Sequence, residues 1–259
     1  MKIRLQTDSF RFTWLSVLAI LLGLLFLTIA NLPIRWLSPM IAKQTACKVV
    51  LSQAYGSIWH GSASIGFSEP QIGQENRCLS PYATTERFSW EGNCHLQDVA
   101  CHFTVLHHHL KRPLEITFEP KHILFQENEA LLPGNLLEGL GSPWNSLHPR
   151  GNLKLQWNNL DLKEVPNGLL ELQFLEMTSP ISPVKPLGSF ALKLQLAQEI
   201  KLDLITLNGP LILNGKGRME NGVFSFQGEA SALPESLDAL IGLLSMIGNR
   251  DGAIFRLKI

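Results

Sequence analysis

Beyond the N-terminal segment, apolar and polar positions alternate along this chain with a period of two. In Leu153-Lys154-Leu155-Gln156-Trp157-Asn158 every odd position is apolar and every even one polar. The same rhythm runs through 170–174, 190–196 and 224–227, and the chain ends on it at 255–259. Successive side chains of an extended backbone point to opposite faces. Each run therefore predicts a strand with one dry and one wet face, the usual condition of antiparallel sheet. Turn-forming residues separate the runs at Asn158-Asn159, Asn208-Gly209-Pro210 and Glu220-Asn221-Gly222. Asn-Gly between alternating runs is a hairpin signal, because both residues tolerate positive φ. The pattern predicts a mainly β protein with minor α content: an antiparallel meander sheet carrying one or two covering helices.

The segment GSIWHGSASIGF, 56–67, follows the same rule. Trp59, Gly61, Ala63, Ile65 and Phe67 share one face, and Ile58, His60, Ser62, Ser64 and Gly66 share the other. It predicts the first strand of the sheet, with Trp59 as a core anchor and His60 on the wetter side with the serines. Gly61 and Ala63 are small enough to let another element, such as a helix, approach closely. Two segments carry helical spacing instead. In 233–248, Leu237, Leu240, Ile241 and Leu244 fall on one face, Pro234 sits near the first turn and Gly248 suits a C-terminal cap. A shorter candidate, 131–140, is opened by Pro133. Both are expected to pack on the dry face of the sheet.

The N-terminus follows neither period. Residues 12–34 hold no charged side chain, and 13–30 are almost entirely apolar. At about 1.5 Å rise per residue such a helix reaches roughly 34 Å, enough for a hydrocarbon core of about 30 Å. Lys2, Arg4 and Arg11 stand against a single acid, Asp8, in the segment before it. The positive-inside rule then makes 1–11 cytoplasmic, 12–34 a transmembrane helix anchored in the lipid bilayer, and 35–259 a β-rich domain on the far side. A cleavable signal peptide ending at Ala30 is the competing reading. Against it, the apolar run is longer than a usual h-region and no Ala-x-Ala site is present.

Charged residues make up 17% of the chain, and Lys+Arg equals Asp+Glu at 22 each, so no basic field exists to attract nucleic acid. Cys47, Cys78, Cys94 and Cys101 all follow the apolar segment. An even set there fits two disulfides in an oxidising compartment, with three connectivities open. Cys94-His95, Cys101-His102 and the run His107-His108-His109 raise a metal alternative, but their spacing matches no zinc module. Disulfides are the expected use of the cysteines, with no metal or other cofactor, and the triple histidine is expected in a strand or an exposed loop.

Catalytic signatures fail on context. Ser182-Pro183-Val184-Lys185 fits the bare S-x-x-K spacing, yet that chemistry needs both side chains on one helical turn. Pro180, Pro183 and Pro186 oppose a helix there, so the segment reads as a connector between strands. Gly215-Lys216-Gly217 lacks the strand-to-helix setting of a dinucleotide site and reads as strand edge. The chain is not expected to be an enzyme.

The run 186–232 opens on Pro186-Leu187-Gly188 and carries Asn208-Gly209-Pro210 and Gly228. The ending LIGLLSMIGNRDGAIFRLKI, 240–259, adds a closing helix and a final strand. Upstream stand LPIRWLSPMI (32–41, with Trp36), YGSIWHGSASI (55–65, with Gly56, Trp59 and Gly61) and Phe88-Ser89-Trp90. Taken in order, these segments resemble the general secretion pathway protein N family of the type II secretion system. The stretch 93–122 carries no feature of that family. The resemblance implies a single-pass inner-membrane protein of a Gram-negative bacterium with a periplasmic domain. That domain would work with other type II secretion system components in exporting folded proteins across the outer membrane. The resemblance brings no catalytic residues. A one-sided sheet behind a membrane anchor is also similar, in architecture alone, to periplasmic lipid-handling proteins of the AsmA type, whose dry face would hold a lipid or amphiphile.

Overall fold

The computed structural model describes residues 8–258 apart from 69, 72–73, 79–82, 85, 96–98, 142–143, 221–222 and 253. Helix α1 (Asp8–Ala30) leads through a 3-10 turn (Ile34–Trp36) into α2 (Leu37–Gln44). The strands that follow are β1 (Val49–Gly56), β2 (His60–Phe67), β3 (Pro70–Gln71), β4 (Gln74–Cys78), β5 (Ala83–Thr84), β6 (Phe88–His95), β7 (Ala100–Leu106), β8 (Leu114–Glu119), β9 (His122–Phe125) and β10 (Asn128–Pro133), of which β3 and β4 pair with each other as a separate small sheet. A 3-10 helix (Gly134–Leu140) and α3 (Trp144–Leu147) follow. Then come β11 (Arg150–Leu162), β12 (Asn167–Thr178), β13 (Gly188–Leu196), β14 (Ile200–Asn208), β15 (Leu211–Glu220) and β16 (Val223–Ala232). The chain closes with α4 (Leu237–Ile247), β17 (Asn249–Asp251) and β18 (Ile254–Lys258).

Sixteen of these strands form one sheet in the order β1-β2-β6-β7-β8-β9-β11-β12-β13-β14-β15-β16-β18-β17, with β10 beside β11 and β5 beside β2. Every pairing is antiparallel, and most join neighbours in sequence, so the predicted meander is borne out. Register explains how alternation becomes two faces. Leu155, Leu172, Leu192 and Leu204 are successive cross-strand partners on the dry face. Gln156, Glu171, Lys193 and Asp203 form the matching row on the wet face. A slip of one residue in any pair would exchange the two rows, which is why the pattern holds the register.

The main core gathers at one end of the C-terminal strands. Leu240, Leu243 and Leu244 of α4 pack there with Leu153, Phe174, Phe190, Leu211, Ala230 and Phe255. The expected helix is thus present, but its first residues, Pro234–Ser236, form a 3-10 turn and the α-helix begins at Leu237. A second, smaller core joins Ile34, Ala63 and Trp90 near the start of the sheet. Removing a leucine from water stabilises by about 1.5–3 kcal/mol, so the three buried leucines of α4 hold it firmly on that end of the sheet.

Several expectations are corrected. The segment 56–67 is not the first strand: β1 precedes it, and β2 starts only at His60. Residues 131–133 belong to β10, and only Gly134–Leu140 is helical, as a 3-10 helix, because Pro133 is extended and pairs with Asn152. Asn158-Asn159 is no turn. Asn159 adopts φ 29° within β11 and shifts the register, which returns Leu160 and Leu162 to the face of Leu155. Gly215-Lys216-Gly217 lies inside β15, paired on both sides, rather than at a strand edge. Asn221-Gly222 falls outside the described residues, while β15 and β16 pair up to Glu220 and Val223 on either side of it.

Among the described residues no helix is long and apolar enough to cross a membrane. Helix α1 nevertheless runs for 23 residues through the uncharged segment, and the side chains of 8–13, 15, 26 and 29 lie outside the description. Its described large apolar side chains, from Trp14 to Leu27, are each more than half exposed, so no described part of the chain covers them.

Candidate functional site

The strands β11 to β16 are 9 to 13 residues long, and α4 covers only one end of them. At the other end the dry face continues beyond the core that the described residues form. Cross-strand partners trace it: Phe118 with Ile123 and then Leu162, and Ile116 with Phe125 and then Leu160. It continues through Gly168 with Leu196, Leu170 with Leu194 and then Leu202, and Ile200 with Met219 and then Phe224. None of these belongs to either buried core. Phe118, Leu162, Met219 and Phe224 are 38–40% exposed. Seven inter-strand steps from β8 to β16 at about 4.8 Å make a band about 34 Å long across the sheet. This strip is the candidate interaction surface of the sheet.

The residues singled out in the sequence mostly build the scaffold rather than this band. Cys47–Cys78 and Cys94–Cys101 are disulfides, with Cα separations of 5.4 and 4.0 Å. The second joins direct register partners of β6 and β7. Trp90 is buried over Gly61, its cross-strand partner, and its indole N–H donates to the Ile58 carbonyl at 3.0 Å. A Cβ on Gly61 would stand 2.5 Å from the Trp90 ring, so the close approach expected there is made by a neighbouring strand's side chain and not by a helix. Trp59 is half-buried in the bend between β1 and β2 and stacks on Phe103 at 6.0 Å; Trp90 takes the anchoring place expected of it. Gly56 ends β1, and Trp36 is 67% exposed beside α2. Leu187 is in the main core, Pro186 is exposed, and Gly228 lies mid-strand in β16. Gly188 and Gly209 meet backbone to backbone at positive φ, where a Cβ on Gly209 would lie 2.3 Å from the Gly188 Cα. Pro210 follows in the same turn, and its carbonyl accepts the Leu233 N–H at 2.9 Å. Ser182 is buried and bonds the Val184 carbonyl and amide within the connector, at 3.0 and 3.2 Å.

Three carboxylates are held in local networks. The Gln156 side chain, followed by Lys111 and Lys154, holds Glu129 below the usual carboxylate range. Arg150 and then His148 do the same for Glu138, and Lys163 and then His122 for Asp161. The triple histidine occupies the turn after β7, the exposed-loop alternative of the two expected. Its three rings cluster with centroids 3.9–4.9 Å apart, and Glu86 reaches His108 Nδ1 at 3.4 Å. Burial, then His108 and His107, lower the pKa of His109. His95 and His102, on β6 and β7, have ring centroids 6.0 Å apart, and with both neighbouring cysteines in a disulfide their Cys-His dipeptides offer no thiolate.

Comparison with known proteins gives one informative result. The family model of the type II secretion system (T2SS), protein N, matches residues 48–255, which takes in the sheet from just before β1 to within β18, the buried residues of the main core, those of the second core apart from Ile34, and the apolar band. No curated protein and no solved structure gives a match. Because that match extends over most of the chain, and the ordered segments of 55–65, 88–90 and 186–232 lie within it, the chain belongs to the type II secretion system protein N family and is a component of that system.

Proposed function

We propose that this component is held in the inner membrane by the uncharged part of α1, residues 12–30, with 1–11 in the cytoplasm and the sheet in the periplasm; Ile34, expected at the end of the span, packs in the second core instead. There its uncovered apolar band binds other components of the secretion apparatus during export of folded proteins across the outer membrane. The uncharged stretch, the bases before it and the exposed apolar surface of α1 support the anchor. Two disulfides favour an oxidising compartment. The observation that carries the docking role is the band from Phe118 to Phe224, which belongs to neither core of the described residues. Phe118→Ser with Phe224→Ser is the direct test. The full-length variant in mild detergent keeps its fold, loses co-purifying secretion components, and lowers secretion of folded exoproteins in a deletion background. Wild-type co-purification and secretion with this variant would overturn the docking role.

A second reading is favoured by the same band: a trough for a lipid or amphiphile. Mass spectrometry of the purified chain decides it. Stoichiometric lipid that is lost in the Phe118/Phe224 variant establishes the trough; a lipid-free protein removes it.

A further inference from the structure

The turn 107–109 brings together more ligand chemistry than a surface turn requires. Each of its three histidines can place one ring nitrogen within 4.8 Å of the nitrogens of the other two. Three points so spaced share a centre no more than about 2.8 Å from each. A shift of about 0.7 Å per ring therefore reaches the ~2.1 Å of a zinc–nitrogen bond. Glu86 supplies a carboxylate oxygen 3.4 Å from His108 Nδ1. His107 is already oriented: its Nδ1 accepts the His109 backbone N–H at 3.1 Å, which leaves Nε2 as the nitrogen facing the Glu86 carbonyl at 3.2 Å. Ligation by His107 gives up one of these two bonds and keeps the other as the support that fixes its ring. The cations around the turn are engaged elsewhere. Arg87 donates to Ser62 and Gln53, Lys111 pairs with Glu129, and Arg112 pairs with Glu127.

We propose that His107, His108 and His109, with Glu86 as an oxygen donor, form a binding site for a divalent late first-row transition metal ion of the zinc or copper class. Imidazole and carboxylate donors suit these ions, and at equal supply copper binds more tightly than zinc. The histidines follow β7 and Glu86 lies just before β6, so the bound ion ties the β7–β8 turn to the strand beside it. The site is independent of the apolar band and of the secretion role.

Full-length protein purified without a histidine tag, with its disulfides intact, is titrated with Zn2+ by calorimetry and with Co2+ by visible absorption. One ion binds per chain, with the intense d–d bands of a tetrahedral nitrogen and oxygen site, and zinc raises the urea midpoint. His108→Asn weakens binding by about 100-fold, and Glu86→Gln by about 10-fold. His95→Asn with His102→Asn leaves binding unchanged, because that pair lies elsewhere. The Glu86→Gln result stands whether or not His108→Asn folds, since Glu86 is a surface residue whose side chain is 73% exposed. Absence of saturable binding to the wild-type chain overturns the site. So does unchanged affinity in Glu86→Gln and His108→Asn, or a loss of equal size in the His95/His102 variant.

Discussion

Replacing Leu240 by alanine removes a side chain with 0% exposure from the centre of the main core, beside Leu244 and Phe255, which are 0% and 1% exposed. Three buried carbons at about 0.8 kcal/mol each give ~2.4 kcal/mol of lost transfer energy. The cavity left between α4 and the sheet adds to this, for a total of about 3–5 kcal/mol. Phe224→Ala removes a larger side chain from the same face, but from its open end, where the residue is 40% exposed and in neither core. Its cost is about 1 kcal/mol, since much of the ring is already in contact with solvent. Urea denaturation of the full-length chain in mild detergent measures the difference. Tryptophan emission reports on the right place, because Trp144 stacks on Phe174 within the main core at 6.3 Å. With a slope of about 2 kcal/mol/M, Leu240→Ala lowers the midpoint by about 2 M and Phe224→Ala by about 0.5 M. A Leu240→Ala shift no larger than that of Phe224→Ala would refute the view that α4 closes one end of the sheet and leaves the other open.

Three further outcomes follow from the same geometry. The disulfides close separations of 31 and 7 residues, so Cys47→Ser with Cys78→Ser costs about 3.7 kcal/mol and Cys94→Ser with Cys101→Ser about 2.4 kcal/mol. Equal urea midpoints for the two double variants would contradict the pairing. Gly61→Ala sets a methyl group 2.5 Å from the Trp90 ring and 2.6 Å from the Tyr55 carbonyl, which costs about 1–3 kcal/mol and shifts Trp90 emission; an unchanged melt would count against that contact. The Glu138 carboxyl is lowered from 4.5, first by Arg150, so its stabilising contribution is complete above that pH and is lost as pH falls through the lower native value. Glu138→Gln therefore flattens the acid side of the stability–pH curve below about pH 4.5, and identical curves for variant and wild type would dismiss the pairing.

Alternation was enough to foresee the architecture. Leu153, Leu155 and Trp157 point one way and Lys154, Gln156 and Asn158 the other, because successive side chains of an extended chain must. The helix of 237–247 was legible for the same reason at its own period. Asn158-Asn159 misled because Asn is as suited to a bulge as to a turn, and only the partner strand distinguishes them. Residues 131–133 misled because a short apolar run beside a proline fits a strand or a helix equally; pairing with 152–154 of β11 decides it.

The order of residues already fixes which side chains share a face within each unbulged run, that the runs pair as an antiparallel meander, and that four cysteines stand beyond an uncharged N-terminal segment. These are local properties, set by backbone geometry and by order along the chain. The rest emerges on folding: that α4 returns over one end of the strands, away from Phe118 and Phe224, that Cys47 meets Cys78, and that Glu86 stands beside three clustered histidines. Each depends on how far apart in sequence two segments are brought together, and a period of two or of 3.6 carries no information about distance beyond its own element.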